Sequence, residues 1–282
     1  MRALVATADD VGLQDGLTLG ALRAHDRGIV TAVSVVANGV ALEPALERLR
    51  DRPGLDAGVH LTLVGERPLS PPAAVPSLLG RDGAFLPDVR GFARRYLLGG
   101  IATPEVEAEL RRQIERLLAG GITLVHANSH QHLHVLPRIF EVVLRLAAEY
   151  RIPFVRIPRE PAAIRFSKRS LEIAVLNRVG RGARRRLLEQ GRLRTADRTV
   201  GVMDAGRLTF ERLAAVVKNV EGVSELVCHP GIGDADLTAV YTWGYGWERE
   251  TAALCDLRLP DLLRTRGIEL TSFSRLLSPA SP

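Results

Sequence analysis

The chain has 282 residues, 46% hydrophobic and 25% charged, with a mean hydropathy of +0.06, which excludes a disordered or fibrous protein and allows a core that needs no disulfide staples. Its two cysteines, Cys228 and Cys255, exclude a disulfide framework or a cysteine-rich zinc module and fit a reducing compartment. The net charge is +6, yet residues 159–198 hold twelve Arg/Lys against four acids, so this segment alone carries +8 and the remainder is slightly acidic.

At the start of the chain, Asp9 and Asp10 interrupt the apolar run before a signal-peptide core of about 7–15 residues can form. The longest stretch free of charged residues and histidine, 28–42, is shorter than the roughly 18–20 residues of a membrane helix. A cytoplasmic protein that does not span a membrane is expected. Short β-branched runs at 4–8, 29–36, 57–63, 123–127, 154–157, 199–202, 225–228 and 269–273 predict strands. Between them lie helical patterns. In the clearest, 103–119, Thr103 reads as the N-cap and Pro104 as the first helical residue; Val106, Leu110, Ile114 and Leu117 share one face, and Gly120-Gly121 ends it. Segments 139–150 and 208–217 read similarly, with Pro137 opening the former.

Seven or eight strands alternating with helices predict an α/β fold with a mainly parallel sheet, open or closed into a barrel. No repeat period of about 20–50 residues recurs, and no linker divides 1–282, which reads as one domain. Two regions break the rhythm: a Pro- and Gly-rich stretch, 68–100, reads as a lid-like loop, and 159–198 as a basic helical insertion. The insertion is either a solvated basic surface or a surface for phosphate or anionic lipid. Only Phe166 interleaves with its arginines, so base stacking is unsupported and no nucleic-acid partner is expected.

In parallel α/β folds the functional groups sit at the carboxyl ends of the strands. Asp9-Asp10 follows the first run, His60 lies within the third, Asn128-Ser129-His130-Gln131-His132-Leu133-His134 follows the fourth, and His229-Pro230-Gly231 follows the seventh. Histidine and aspartate on one rim suit a hydrolase that holds a divalent metal through imidazole and carboxylate. Each signal has a plainer reading: Asp9-Asp10 as a helix cap, His60 as a core histidine, His229 as a turn residue. The imidazoles of His126, His130, His132 and His134, four in nine residues, have no packing rationale in the sequence. His130, His132 and His134 share a face if extended, and His130 and His134 if helical, so spacing does not choose among them. No P-loop or His-Glu-x-x-His motif occurs, and Gly180-Arg181-Gly182 follows no strand. Adjacent Asp9 and Asp10 do not make a glycosidase pair, whose carboxylates stand roughly 5–9 Å apart across a sugar bond.

At Thr7-Ala8-Asp9-Asp10-Val11-Gly12, Gly58-Val59-His60-Leu61, Ser129-His130-Gln131-His132-Leu133-His134 and Glu225-Leu226-Val227-Cys228-His229-Pro230-Gly231 the sequence resembles the YdjC-like carbohydrate deacetylases, in order and over nearly the whole chain. The resemblance implies a TIM-barrel-like fold, one divalent metal ion (Mg or Zn), and removal of the acetyl group from an N-acetylated amino sugar. It implies Asp10, His60 and His130 as metal ligands, Asp9 as general base, and His229 as acid or substrate contact. His126, His132 and His134 are then ligand-orienting or substrate-side residues, and Trp243, Tyr245 and Trp247 are candidates to stack on the sugar. The family usually has an aspartate where this chain has Asn128, a change expected to alter the tuning of His130. The stretch 243–250 resembles the branch associated with hopanoid biosynthesis, which implies a lipid-linked sugar and peripheral contact with an anionic membrane at its inner face. The oligomeric state stays open, a homodimer included. Two rival functions remain: a metal-dependent hydrolase of a phosphoester or cyclic amide, and a basic protein that binds anionic surfaces.

Overall fold

The computed structural model describes residues 2–160 and 168–277, and each run expected to be a strand is one. The first half carries β1 (Arg2–Val11), α1 (Asp15–Arg27), β2 (Ala32–Val35), α2 (Leu42–Arg50), β3 (Asp56–Leu61), α3 (Val89–Leu97), α4 (Thr103–Ala119) and β4 (Leu124–Ser129). The second carries α5 (Pro137–Glu149), β5 (Phe154–Val155), α6 (Lys168–Gln190), β6 (Arg198–Val200), α7 (Phe210–Val217), β7 (Val223–Cys228), α8 (Asp234–Val240), α9 (Trp247–Leu254), α10 (Arg258–Thr265) and β8 (Ile268–Leu270). Seven strands pair parallel in the spatial order β5-β4-β3-β2-β1-β7-β6, and β8 adds to β1, also parallel. β8 takes the start of β1 (Arg2–Leu4), while β2 takes its end (Thr7–Val11). Among the described residues β5 and β6 do not pair with each other, so the sheet is an open, TIM-barrel-like wall.

The strands read as unbroken apolar runs because helices cover the sheet and leave no solvated face. Val106, Leu110, Ile114 and Leu117 of α4 are all buried, as their spacing predicts. Its first turn differs from expectation: Thr103 is already helical, and Ala102 occupies the cap position without a side-chain bond. The opposite end of the expected lid, 68–100, is tied down by α4. Buried Glu109 accepts from the Leu69 and Ser70 N–H groups at 3.0 and 2.8 Å, and Glu105 accepts from Ser77 N at 2.7 Å. Two short 3-10 turns and α3 follow within this stretch, and Phe92 of α3 is fully buried. In the basic segment, α6 accounts for 168–190; Phe166 and its neighbours 161–167 lie outside the described residues. No described helix is long and apolar enough to cross a membrane.

Candidate active site

Successive side chains of a strand point to opposite faces, so adjacent aspartates would ordinarily diverge. At the end of β1 they do not. The register with β2 shifts between Ala8 and Val11, and Asp10 takes a left-handed backbone with φ 67°. For a residue other than glycine that geometry costs of order 1–3 kcal/mol and is a mark of functional sites. Its effect is to bring both carboxylates to one imidazole: Asp10 Oδ1 lies 3.2 Å from His60 Nε2, and Asp9 Oδ1 4.0 Å from His60 Nδ1. His130, arriving from the end of β4, places Nδ1 2.9 Å from the same Asp10 oxygen. Asp10, His60 and His130 thus each offer a ligand atom, all within 4.8 Å of one another. Two imidazoles and a carboxylate converging on one point are a donor set for Zn, or for Mg, Mn, Co or Ni completed by waters.

Behind this trio is an ion cluster. Arg156, immediately past β5, binds Asp9 with both ends of its fork (Nη1 to Oδ2 2.5 Å, Nη2 to Oδ1 2.9 Å) and reaches Glu225 of β7 at 2.8 Å. Glu225 also accepts from Thr7 Oγ1 at 2.9 Å. Burial alone would raise the pKa of Asp9, but the charges of Arg156 and His60 outweigh it and hold the carboxyl well below the usual range. For Asp10, burial is likewise outweighed by His130 and His60. His60 is pushed down by burial and, more strongly, up by Asp9 and Asp10, for a net rise. Neither Arg156 nor Glu225 was singled out from the sequence. The signal available was a charge embedded in an apolar run that predicts a buried strand.

The histidine-rich run is neither extended nor helical. Gln131 and His132 adopt φ of 55° and 57°, which turns the chain so that its imidazoles part company. His130 goes to Asp10. His134 is buried, with Nε2 donating to the Arg156 carbonyl at 2.8 Å and Nδ1 accepting from Ser129 Oγ at 2.7 Å. It braces the Arg156 backbone, and burial lowers its pKa to about 4. His132 is half-buried with its ring 6.4 Å from that of His134, and burial keeps it neutral. His126 lies beneath the site: Nε2 donates to the Val33 carbonyl at 3.1 Å, its ring packs 4.7 Å from Phe273, and a Cβ on Gly58 would fall 2.4 Å from it. His126 is therefore no substrate contact, and His126 and His134 have the packing rationale the sequence did not show. Asn128 also moves from its expected role. The β3–β4 register sets it across from His60, and its amide lies 2.6 Å from His60 Nδ1 rather than at His130.

The far wall comes from β7 and the segment before α9. Backbone N–H of His229 donates to buried Glu250 at 2.6 Å, and the His229 ring meets Tyr245 edge-on at 5.2 Å. Burial lowers the His229 pKa, while the carboxylates of Asp10 and Asp9 act in the opposite sense. Gly231 serves close packing on α1, since a Cβ on Gly20 would meet its Cα at 2.3 Å. Trp243 is half-buried, 5.2 Å from His130 and stacked at 4.2 Å on Tyr241. Trp247 is 0% exposed and packs with Leu13, Leu17, Val36 and Leu237, a core position rather than the sugar-stacking one expected of it. On the His130 side, Glu66 accepts from Tyr241 Oη at 3.4 Å, and burial raises its pKa; no sequence motif marks it. Burial pushes up the thiols of both Cys228, which is buried, and Cys255, which is half-buried, so neither is poised as a thiolate.

The sequence profile of the YdjC-like proteins matches residues 3–265. The chain belongs to the YdjC-like family. Among its relatives is a carbohydrate deacetylase of Geobacillus stearothermophilus, 31% identical over 274 residues that cover 96% of this chain and 97% of that one. A human carbohydrate deacetylase is 34% identical over 245 residues, covering 81% and 74%. A crystal structure from Enterococcus faecalis V583, described as a candidate cellobiose-phosphate cleavage protein, has 26% identity and a TM-score of 0.73 over 98% of each chain. This YdjC-like chain thus shares its fold with a solved structure along nearly its entire length.

Proposed function

We propose that the chain is a carbohydrate deacetylase that hydrolyses the N-acetyl group of an amino sugar with one divalent cation held by Asp10, His60 and His130. The observation that carries this reading is the convergence of those three ligand atoms beside an aspartate clamped by buried Arg156. Membership of the YdjC-like family and relatives named carbohydrate deacetylases support it.

An amide resists hydrolysis, so the site must strengthen the nucleophile, stabilise charge on the carbonyl oxygen and protonate the departing nitrogen. A divalent cation supplies Lewis acidity, making water more acidic and polarising the acetyl carbonyl. Asp9 is the proton acceptor in this scheme. Arg156 holds both of its oxygens in place and keeps it ionised, which makes it a weak base whose competence depends on water acidified beside it. His229 stands across the site, its buried Nδ1 3.9 Å from Glu250 and without a hydrogen-bond partner among the described residues, and is the group placed to deliver a proton to the leaving nitrogen. His134 is committed to Ser129 and Arg156 at both nitrogens, which removes it from that role. Trp243 and Tyr245, flanking His130 and His229, form an aromatic wall for the apolar face of a sugar.

A panel of an N-acetylglucosamine oligosaccharide, a phosphomonoester and a lactam tests the reaction class. Release of acetate alone supports the proposal; turnover of the phosphoester or the lactam in its place would assign another scissile bond. A lipid-linked sugar is the second reading, favoured by α6, which exposes Leu171 (67%), Val175 and Leu188 along with Arg178, Arg181 and Arg185. Binding to phosphatidylglycerol vesicles that equals binding to neutral vesicles would remove it.

A further inference from the structure

Asn128 sits between two groups whose demands on it conflict. One end of its amide lies 2.6 Å from His60 Nδ1; the other lies 2.7 Å from Ser34 Oγ, 2.8 and 3.1 Å from the two terminal nitrogens of Arg156 and, more distantly, 3.5 Å from Asp9 Oδ1. A guanidinium only donates, so the amide oxygen belongs on the Arg156 side and the NH2 on the His60 side. His60 Nδ1 must then accept, and the His60 proton resides on Nε2, from which it donates to Asp10 Oδ1 at 3.2 Å. The chain of bonds is complete: Arg156 to Asn128, Asn128 to His60, His60 to Asp10.

A cation at Asp10 and His130 needs the lone pair of His60 Nε2, which moves the His60 proton to Nδ1. That proton then points at the Asn128 NH2 unless the amide turns over, and turning it sets NH2 against the guanidinium of Arg156. We propose that Asn128 is a positioning residue that opposes cation loading, by holding His60 in the Nε2–H tautomer through its bond to Arg156. The inference rests on the cation site proposed above. A carboxylate at this position would accept from Arg156 and from His60 Nδ1–H at once, with no orientation to choose, and would add a negative charge. Asn128 thus makes the cation site weaker than its ligands alone would set, and couples its occupancy to the Arg156–Asp9 clamp. Ordering of ligand imidazoles by such partners typically changes metal affinity by about 10–100-fold.

The test uses the full chain, stripped by chelator and labelled with nitrogen-15 at histidine, the His60 signals being assigned by their loss in His60→Gln. The wild type is expected to show His60 as the Nε2–H tautomer without cation, and Asn128→Asp to show Nδ1–H. Calorimetric titration with zinc is expected to give at least about tenfold tighter binding in Asn128→Asp. Nδ1–H in the stripped wild type, as the neutral tautomer or in a doubly protonated ring, overturns the inference and leaves the cation site standing, as does equal zinc affinity in the two proteins. Absence of zinc binding in both overturns the cation site and this inference with it. Should Asn128→Asp fail to fold, the wild-type tautomer decides.

Discussion

The polar cluster at the ends of β1, β3, β4 and β7 and the basic helix α6 carry charge in opposite ways. In the cluster a single arginine, Arg156, is 3% exposed and binds Asp9 and Glu225, which are 147 and 69 residues away in sequence. On α6 many arginines stand in solvent and meet partners one turn away or across the surface, as Arg185 does with Glu189 at 3.8 Å and Arg186 with Glu141 at 3.2 Å. Counting charges draws attention to α6; weighing each charge by its burial draws it to Arg156. The physical reason is desolvation. A buried ion left unpaired has no water to turn to, whereas an exposed one loses little when its partner goes.

The buried cluster carries the largest expected effects. Asp9→Asn should retain zinc binding and lower turnover by about 10²–10⁴-fold, measured as initial rate on a chitooligosaccharide alongside a zinc titration. Normal turnover would remove Asp9 as the base. Arg156→Ala should destabilise the fold by about 3–5 kcal/mol in urea unfolding, because Asp9 and Glu225 are left as buried like charges. A loss below about 1 kcal/mol would put Arg156 on a par with the surface arginines.

Buried Glu250, raised from the usual 4.5 to about 7 chiefly by burial, tests the same contrast through pH. Between these values the folded chain binds more protons than the unfolded one, so stability falls as pH rises through that window and levels off above it. Its share is at most about 3 kcal/mol. Glu160, also raised to about 7 by burial, acts with the same sign. Glu250→Gln should therefore flatten part of the slope of unfolding free energy against pH; an unchanged slope would show that Glu250 is ionised throughout. At the weak end, Arg185→Ala should shift stability by no more than about 0.5 kcal/mol.

The strands were legible because a sheet covered by helices needs unbroken apolar runs, and Asp9, Asp10, His60 and His130 stood out as polar residues at or just past their ends. What stayed hidden was three-dimensional. Arg156 finds its partners only when β5, β1 and β7 are assembled, so no local pattern announces the clamp. His126 and His134 are near His130 in sequence but not in role: two left-handed residues turn His134 away, and His126 lies deeper along β4, bonded to the Val33 carbonyl. Asn128 was read beside the wrong imidazole because cross-strand register, not chain adjacency, sets its neighbour. Trp247 illustrates the same limit: the side chain is aromatic in either role, and only packing says which it has.

In the proposed function, deacetylation requires a divalent cation on Asp10, His60 and His130. The direct measurement is acetate release from a chitooligosaccharide by chelator-stripped enzyme reloaded with single metals, run in parallel on His60→Ala and His130→Ala. Release that vanishes on stripping, returns with a single metal and stays absent in both variants is the predicted result. Release that persists in the stripped enzyme, or returns equally in His60→Ala and His130→Ala, would contradict it.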